Sequence, residues 1–484
     1  MSDQIAFASA TALAGMIRDR KIGSLELLEH YLGRIERINP QVNAVIAFQI
    51  ETARERAKAA DAATMAGKSS GPLHGVPMTV KESFDVAGLP TTQGFTHFTS
   101  NIAATDALSV QRLQAAGAIV FGKTNVPVSL ADWQSFNPIY GTTNNPWNLE
   151  RTPGGSSGGS AAAMAAGLTG LEIGSDIGAS IRDPAHYCGV YGHKSTFGVC
   201  ARDGHSLPGM AMPDGDISVI GPLARSAHDL ETALDLIAGP DAIDGRGWSV
   251  SLPRPTKTKL SDFRVAVMPT ADTAPVDSAV RHRIEALADF LRKSGAQVDD
   301  EARPVDPAEA HEVFVMLLRA ATSRGTNDET FERYVAERAS MDGRSDYYAW
   351  LVRAVSMSHR EWLHWHNRRN HIRLAWERFF GDYDLLLCPT AATTAFPHMQ
   401  TGERWERMIS VDGQPQPTTM QLFWAGYSGM AYLPSTIAPI GLAPDGLPVG
   451  VQIIAPAYGD HTAIRFAQLL EREYYGFVAP PAYA

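Results

Sequence analysis

The sequence predicts an α/β fold in which helices cover both faces of a central sheet within one large unit. Three observations carry that prediction. From about residue 71 onward, short apolar runs alternate with stretches of helical periodicity, the pattern that buries a sheet between helices. Charged residues are 19% of the chain, below the roughly 25% of an average globular protein, which fits a large interior with little surface. No internal repeat of about 20–50 residues is visible. The 484 residues would accommodate about three domains of ordinary size, but the composition argues for fewer.

The elements follow in order. Over residues 24–39, Leu27, Leu28, Tyr31, Leu32, Ile35 and Ile38 recur at helical spacing, with Ser24 as the expected cap and Pro40 as the expected stop. A second helix is expected over 51–65, so residues 1–70 read as an N-terminal helical layer that ends in a polar loop at 67–71. Residues 76–80 are a short apolar strand, 107–116 a helix, 118–122 a strand, 160–166 a helix of small residues and 171–173 a brief strand. Ser226 and Asp229 form the letters of a capping box before a helix that reaches Ile237. A strand over 263–268 precedes a helix over 277–294, whose apolar face is Val280, Ile284, Leu287 and Leu291. Apolar runs at 383–388 and 449–454 are further strands, and 461–473 is the closing helix. Between about 305 and 380 the strand signals vanish and Arg, His and Trp accumulate. That stretch reads as a helical cap or insertion over a core made of 71–300 and 381–484.

Composition excludes several classes of function. Glycine and proline together are about 15% of the chain, well short of low-complexity sequence. The net charge is −10 and no block of five or six basic residues occurs, so no nucleic-acid or polybasic membrane partner is expected. Cys188, Cys200 and Cys388 are an odd number without a CxxC pair, which argues against a disulfide framework or a zinc ribbon. No apolar run reaches about 18 residues, and an acid precedes the first apolar stretch where a secretory signal would carry bases. A soluble, cytoplasmic protein is expected. Lysine is scarce, nine against thirty-three arginines, so each lysine can be asked what it is for.

Two stretches rich in glycine and serine concentrate the chemical interest: Gly154-Gly155-Ser156-Ser157-Gly158-Gly159-Ser160 and Gly174-Ser175-Asp176-Ile177-Gly178-Ala179-Ser180-Ile181-Arg182. Both also fit plain turns. The letters of a phosphate-binding loop occur from Gly117 to Thr124, but Ala118-Ile119-Val120-Phe121 reads as a strand where a loop is required. The GxSxG letters of a nucleophile elbow occur at Gly154–Gly158, but a proline- and asparagine-rich loop precedes them where a strand is required. No serine lies three residues before any lysine, so a lysine base for serine chemistry must come from elsewhere in the chain. Lys81 is the candidate, at the end of Gly75-Val76-Pro77-Met78-Thr79-Val80. Such a lysine is either a snorkelling surface residue or a desolvated one, whose lowered pKa makes it a usable base.

Lys81 in this context, the GGSSGGS stretch and the GSDIGASIR stretch together resemble the amidase signature family of serine hydrolases. Gly122-Lys123-Thr124-Asn125-Val126-Pro127, Gly141-Thr142-Thr143-Asn144-Asn145-Pro146-Trp147, Cys388-Pro389-Thr390 and Asp445-Gly446-Leu447-Pro448-Val449-Gly450-Val451-Gln452 also match the family pattern. The resemblance runs over most of the chain and is weakest between 308 and 380. It implies a single α/β/α domain with a central mixed, twisted sheet and a Ser–cis-Ser–Lys triad. Ser180 is then the nucleophile, Ser156 the bridging serine and Lys81 the base. The backbone N–H groups of Ile177, Gly178, Ala179 and Ser180 are expected to hold the oxyanion. Ser157, as a hydrogen-bond partner of Lys81, and Asp176 with Arg182, as a buried pair, have implied support roles that compete with an ordinary loop reading. Leu130 is a candidate for the acyl pocket.

The chain departs from the family in having Ala179 where glycine is usual, Ser175 where threonine is usual, and Gly192-His193-Lys194-Ser195-Thr196 where Gly-Leu-Lys-Pro-Thr is typical. The resemblance implies hydrolysis of a small-molecule amide without a cofactor, with ester, carbamate or urethane cleavage as side activities. The glutaminase component of a tRNA-dependent amidotransferase and a non-catalytic binding protein are the alternatives, and a homodimer stays open. Tyr347, Tyr348, Trp350, Trp362, Trp365 and Trp376 are either cap packing or a sign of an apolar or aromatic substrate. A metal site is not expected. His359, His364, His366 and His371 share one helical stretch, but His364 and His366 fall on different faces, and His311-Glu312 lacks the second histidine of HExxH. Cys388 follows three leucines and reads as a buried strand end.

Overall fold

In the computed structural model, residues 3–206 and 215–484 are described. Eight strands form the main sheet in the order Gln297–Asp299, Arg264–Val267, Leu385–Pro389, Pro448–Ile454, Ser435–Leu442, Tyr191–Lys194, Val219–Ala224 and Glu172–Asp176. The first three are parallel and the remaining pairs antiparallel, so the sheet is mixed. The strands Leu385–Pro389 and Pro448–Ile454 are buried throughout and are apolar at nearly every position, as strands covered on both faces must be. Pro77–Lys81 lies outside this sheet. It pairs in parallel with Ile119–Thr124, whose other edge takes Val45–Phe48 antiparallel.

The helical layer differs from expectation at both ends of its long helix, Ser24–Val42. Ser24 does not cap it. Gly23 occupies the cap position, and the Asp61 carboxylate accepts the N–H groups of Ser24 at 2.6 Å and Leu25 at 3.1 Å. The Ser24 hydroxyl instead donates to the Gly75 carbonyl at 2.6 Å, which ties this helix to the start of the Lys81 strand. Pro40 does not stop the helix. It sits in the last turn, and the chain leaves helical geometry only at Asn43, in the left-handed conformation with φ 50°. Ser226 does cap Ala227–Ile237, accepting from the Asp229 N–H at 3.1 Å. Asp229 does not close the box. Its carboxylate accepts the N–H groups of Ala10 at 2.7 Å and Thr11 at 3.0 Å, pinning the first helix, Ala10–Arg18, to the core.

The helices Pro307–Thr322, Asp328–Glu337, Tyr347–Val355 and His359–Asp382 fill the strand-free stretch. Pro307–Thr322 runs through the main core, with Val313, Phe314 and Leu317 fully buried. Phe314 packs directly on Gly426 of the helix Leu422–Gly429, where an added Cβ would fall 2.4 Å from the ring. Gly426→Ala is therefore expected to overpack this contact and cost about 1–3 kcal/mol. A urea midpoint equal to that of the unaltered protein would show that the two helices separate freely.

Candidate functional site

Three short segments bring the predicted residues together. Lys81 ends a strand whose five residues are all buried. Ser156 lies in the loop that enters the helix Gly158–Ala165, and the Gly155–Ser156 peptide bond is cis. Here glycine is a packing requirement: a Cβ on Gly155 would stand 2.3 Å from the Asp132 carbonyl, and one on Gly159 2.3 Å from the Asn125 nitrogen. Ser180 lies in the turn between the strand Glu172–Asp176 and the helix Arg182–Cys188.

Lys81 is fully buried and donates to the Ser156 hydroxyl at 2.7 Å. Its second hydroxyl partner is Ser175, at 3.0 Å, not Ser157. Ser157 is the residue before the helix Gly158–Ala165, and its hydroxyl donates to the Ser175 carbonyl at 3.4 Å. Burial pushes the Lys81 ammonium down to about 7, although Asp176, Asp183, Glu172 and Glu82 pull the other way. No carboxylate forms an ion pair with it among the described residues. Two more lysines are fully buried, Lys123 and Lys194, with burial pushing them down to about 8 and about 7. Each is anchored to backbone carbonyls, Lys123 to Pro90 at 2.5 Å and Lys194 to Leu433 at 2.6 Å. Of the three, Lys81 is the one hydrogen-bonded to serine hydroxyls, and those serines line a cavity.

That cavity is about 520 Å³, and Ser156, Ser180, Ile177, Gly178 and Leu130 are on its walls. The Ser180 side chain is 6% exposed and hydrogen-bonds to neither Ser156 nor any other described residue. The Lys81–Ser156 contact is thus formed, and Ser180 shares the cavity wall with Ser156 without a hydrogen bond between them. Among the described residues no acceptor takes the N–H groups of Ile177, Gly178 or Ser180. Ala179 is different. Its N–H donates to Asp176 at 3.0 Å, so it is not available to an oxyanion. Ala179 also holds φ at +78°, the region that suits glycine.

Asp176 organises the turn. One carboxylate oxygen takes the Ala179 N–H and Arg182 Nη2 at 2.8 Å; the other takes the Ile181 N–H at 3.0 Å and Arg182 Nε at 2.9 Å. Burial alone would raise its pKa, but the Arg182 charge and hydrogen bonds outweigh it and hold the carboxyl below the usual range. The remaining Arg182 nitrogen, Nη1, is satisfied by the Ala425 carbonyl, Ser428 and Gln452. Trp133, from the segment next to Leu130, donates its indole N–H to the Gly178 carbonyl at 2.7 Å. The peptide between Gly178 and Ala179 is therefore held at both its oxygen and its nitrogen.

Other sequence-predicted features fall elsewhere. Of the six aromatic residues singled out in the strand-free stretch, Tyr347 lines the cavity. Trp376 is packed in the main core, and Trp350 stands edge-on to His311. Trp362 is stacked between His359 and His366. Among the described residues no group of three or more His, Cys, Asp and Glu is placed to hold a metal ion, and no helix is long and apolar enough to cross a membrane. Cys388 is buried within a strand, and burial pushes its thiol up to about 12. His193, where the family usually has leucine, bridges Asp460 at 3.1 Å and Thr436 at 2.9 Å in the interior. Ser175 was visible in the sequence only as a departure from threonine, a change that keeps the hydroxyl. Trp133 carried no signal, because its contact arises only when two distant loops meet.

The sequence profile of the Amidase family matches residues 26–464. The chain is 33% identical to an indoleacetamide hydrolase of Bradyrhizobium diazoefficiens, over 96% of this chain and 86% of the relative. It is equally 33% identical to a glutamyl-tRNA(Gln) amidotransferase component of Anaeromyxobacter sp. (strain K), over 96% and 95%. Among solved structures it resembles a 6-aminohexanoate cyclic dimer hydrolase, with a TM-score of 0.78, 27% identity and 97% of each chain covered.

Asp176→Asn is expected to leave Arg182 as an uncompensated buried charge and to lower unfolding stability by about 3–5 kcal/mol. Chemical denaturation measures this directly, and a loss below about 1 kcal/mol would show that the pair does not hold the turn.

Proposed function

Because this chain belongs to the amidase signature family, a family of C–N amide hydrolases, we propose that it cleaves a small amide through an acyl-enzyme on Ser180. The observation that carries the proposal is the buried contact between Lys81 and Ser156, 2.7 Å long and free of any paired carboxylate. Neutral Lys81 takes a proton from Ser156, which takes one from Ser180 as its oxygen attacks the amide carbon. The developing oxyanion is met by the N–H groups of Ile177, Gly178 and Ser180, which have no other acceptor among the described residues. Ser156 returns a proton to the departing amine, and water repeats the cycle on the ester. The body of the substrate is apolar or aromatic, in keeping with Leu130, Trp133, Phe396 and Leu422 on the cavity walls. Ester and carbamate cleavage are side activities of the same site.

A second reading, a glutaminase that hands ammonia to a tRNA-linked amide, is favoured by the relatives that carry the amidotransferase name. Release of ammonia from glutamine by the isolated chain, or co-purification of partner proteins, would favour it over a stand-alone amidase. A serine-directed covalent inhibitor tests both against a non-catalytic binding protein: mass spectrometry should find the label on the peptide containing Ser180. A folded protein that leaves that peptide unlabelled is not an enzyme of this type.

Two kinetic outcomes are expected. Ser180→Ala and Lys81→Ala abolish turnover and Ser156→Ala loses most of it; full activity in Lys81→Ala would refute the relay. Since Lys81 must be neutral to act, kcat/KM should fall about tenfold per pH unit below about 7 and level off above it. A flat profile between pH 5.5 and 8.5 would exclude Lys81 as the titrating base.

A further inference from the structure

The protein carries a net charge of −10, yet the described walls of its cavity hold more arginines than acids. Among the described residues, five arginines are on the walls, Arg202, Arg319, Arg324, Arg404 and Arg407, against two acids, Asp132 and Asp176. Both acids are already neutralised, Asp176 by Arg182 and Asp132 by Arg407 at 2.6 Å. Arg319 and Arg404 have no ion-pair partner among the described residues. Arg319 projects from the helix Pro307–Thr322, with its Nε buried and without a hydrogen-bond partner and with the Tyr347 ring 5.4 Å from its guanidinium carbon. Its neighbour Leu318 reaches within 4.0 Å of the Cβ position at Gly178, so Arg319 is one residue removed from the contact with the oxyanion turn. Arg404 donates to the Ala131 carbonyl, in the segment that also supplies Leu130 and Trp133. Burial lowers the Arg319 pKa; Tyr347 and Tyr334 pull it back up and the nearby Arg404 charge lowers it further, so the two cations are close enough to feel each other and no carboxylate among the described residues pairs with either. A guanidinium kept half-buried without an acid is costly unless a ligand supplies one.

We propose that Arg319 and Arg404 form an anion subsite, and that the amide hydrolysed here carries a carboxylate remote from its scissile bond. The inference rests on the amide-hydrolase reading above. Tyr334, Tyr347 and Trp405 give the wall around the two arginines an aromatic character, so the body of the substrate stays apolar while one end is charged. The planar fork of arginine suits a carboxylate, and walls that hold more arginines than acids concentrate anionic substrates at the cavity entrance.

The test compares three anilides: neutral hexananilide, adipic acid monoanilide with its carboxylate on the acyl side, and N-hexanoyl-4-aminobenzoate with its carboxylate on the amine side. The unaltered enzyme should prefer at least one carboxylated amide by about tenfold or more in kcat/KM. Arg319→Gln and Arg404→Gln should each lower that preference about tenfold, mainly through KM, and Arg319→Lys should recover part of it. Raising the ionic strength should erode the preference. Hydrolysis of hexananilide at the same efficiency as both acids, or an unchanged preference in both glutamine variants, would overturn the subsite while leaving the hydrolase reading intact. Failure to cleave any of the three, together with no covalent labelling at Ser180, would overturn the hydrolase reading itself.

Discussion

An amine buried without a counter-ion is the constraint on which the site is built. Water would keep Lys81 protonated, and an adjacent carboxylate would do the same. The fold supplies neither. It ends a fully buried strand on the lysine and surrounds its nitrogen with hydroxyl groups, Ser156 and Ser175. The nearest acids act on it only through space, and the strongest of them, Asp176, is already committed to Arg182. The cost of desolvating the ammonium is met by its release of the proton near neutral pH. An environment of neutral acceptors, the two hydroxyls and the Ser175 carbonyl, and the diversion of Asp176 to Arg182 are both conditions for that result.

Asp176 thereby serves two purposes. Drawn away from Lys81, it leaves that amine unpaired. Turned toward the chain, it fixes the loop of 177–182 by accepting the N–H groups of Ala179 and Ile181. Trp133 completes the restraint from the opposite side of the Gly178–Ala179 peptide. A loop held this way presents its unused N–H groups in a set direction, which is the arrangement the proposed oxyanion contact requires. The left-handed backbone at Ala179 is tolerated because these bonds over-determine it.

Much of this was legible in the sequence, and the misses share a cause. Lys81 stands out because a charge ends an apolar run, and the two glycine- and serine-rich stretches stand out by composition, although it is the family resemblance that picks Ser156 and Ser180 from among their serines. The lysine and the two stretches are local signals. The alternation of elements likewise announced helices on both sides of a sheet. What the sequence could not convey were choices between equivalent partners. Ser157 and Ser175 are both serines beside the lysine's loops, and only the packing of one strand against one helix decides which hydroxyl reaches it. Ala179 reads as one N–H donor among four, and only the fold sets Asp176 against it. Pro40 read as a stop because a missing N–H usually ends a helix, yet in the last turn the loss is small and Val42 still gains burial. Arg319 and Arg404 come from segments 85 residues apart in the chain and are brought onto the same cavity wall only by the fold.

The scarcity of lysine acquires a practical meaning once its distribution is known. Lys81, Lys123 and Lys194 are shut inside, and the other six are at least partly open to solvent. Arginine has taken over most of the surface's positive charge, thirty-three residues against nine lysines in the whole chain. An amine-specific reagent such as an acylating ester therefore divides the molecule cleanly. It reacts at once with the outer set, and with the inner set only as the interior opens. The three interior amines are thus built-in clocks for local unfolding, one at the site and two in the scaffold around it, readable by mass without any added probe.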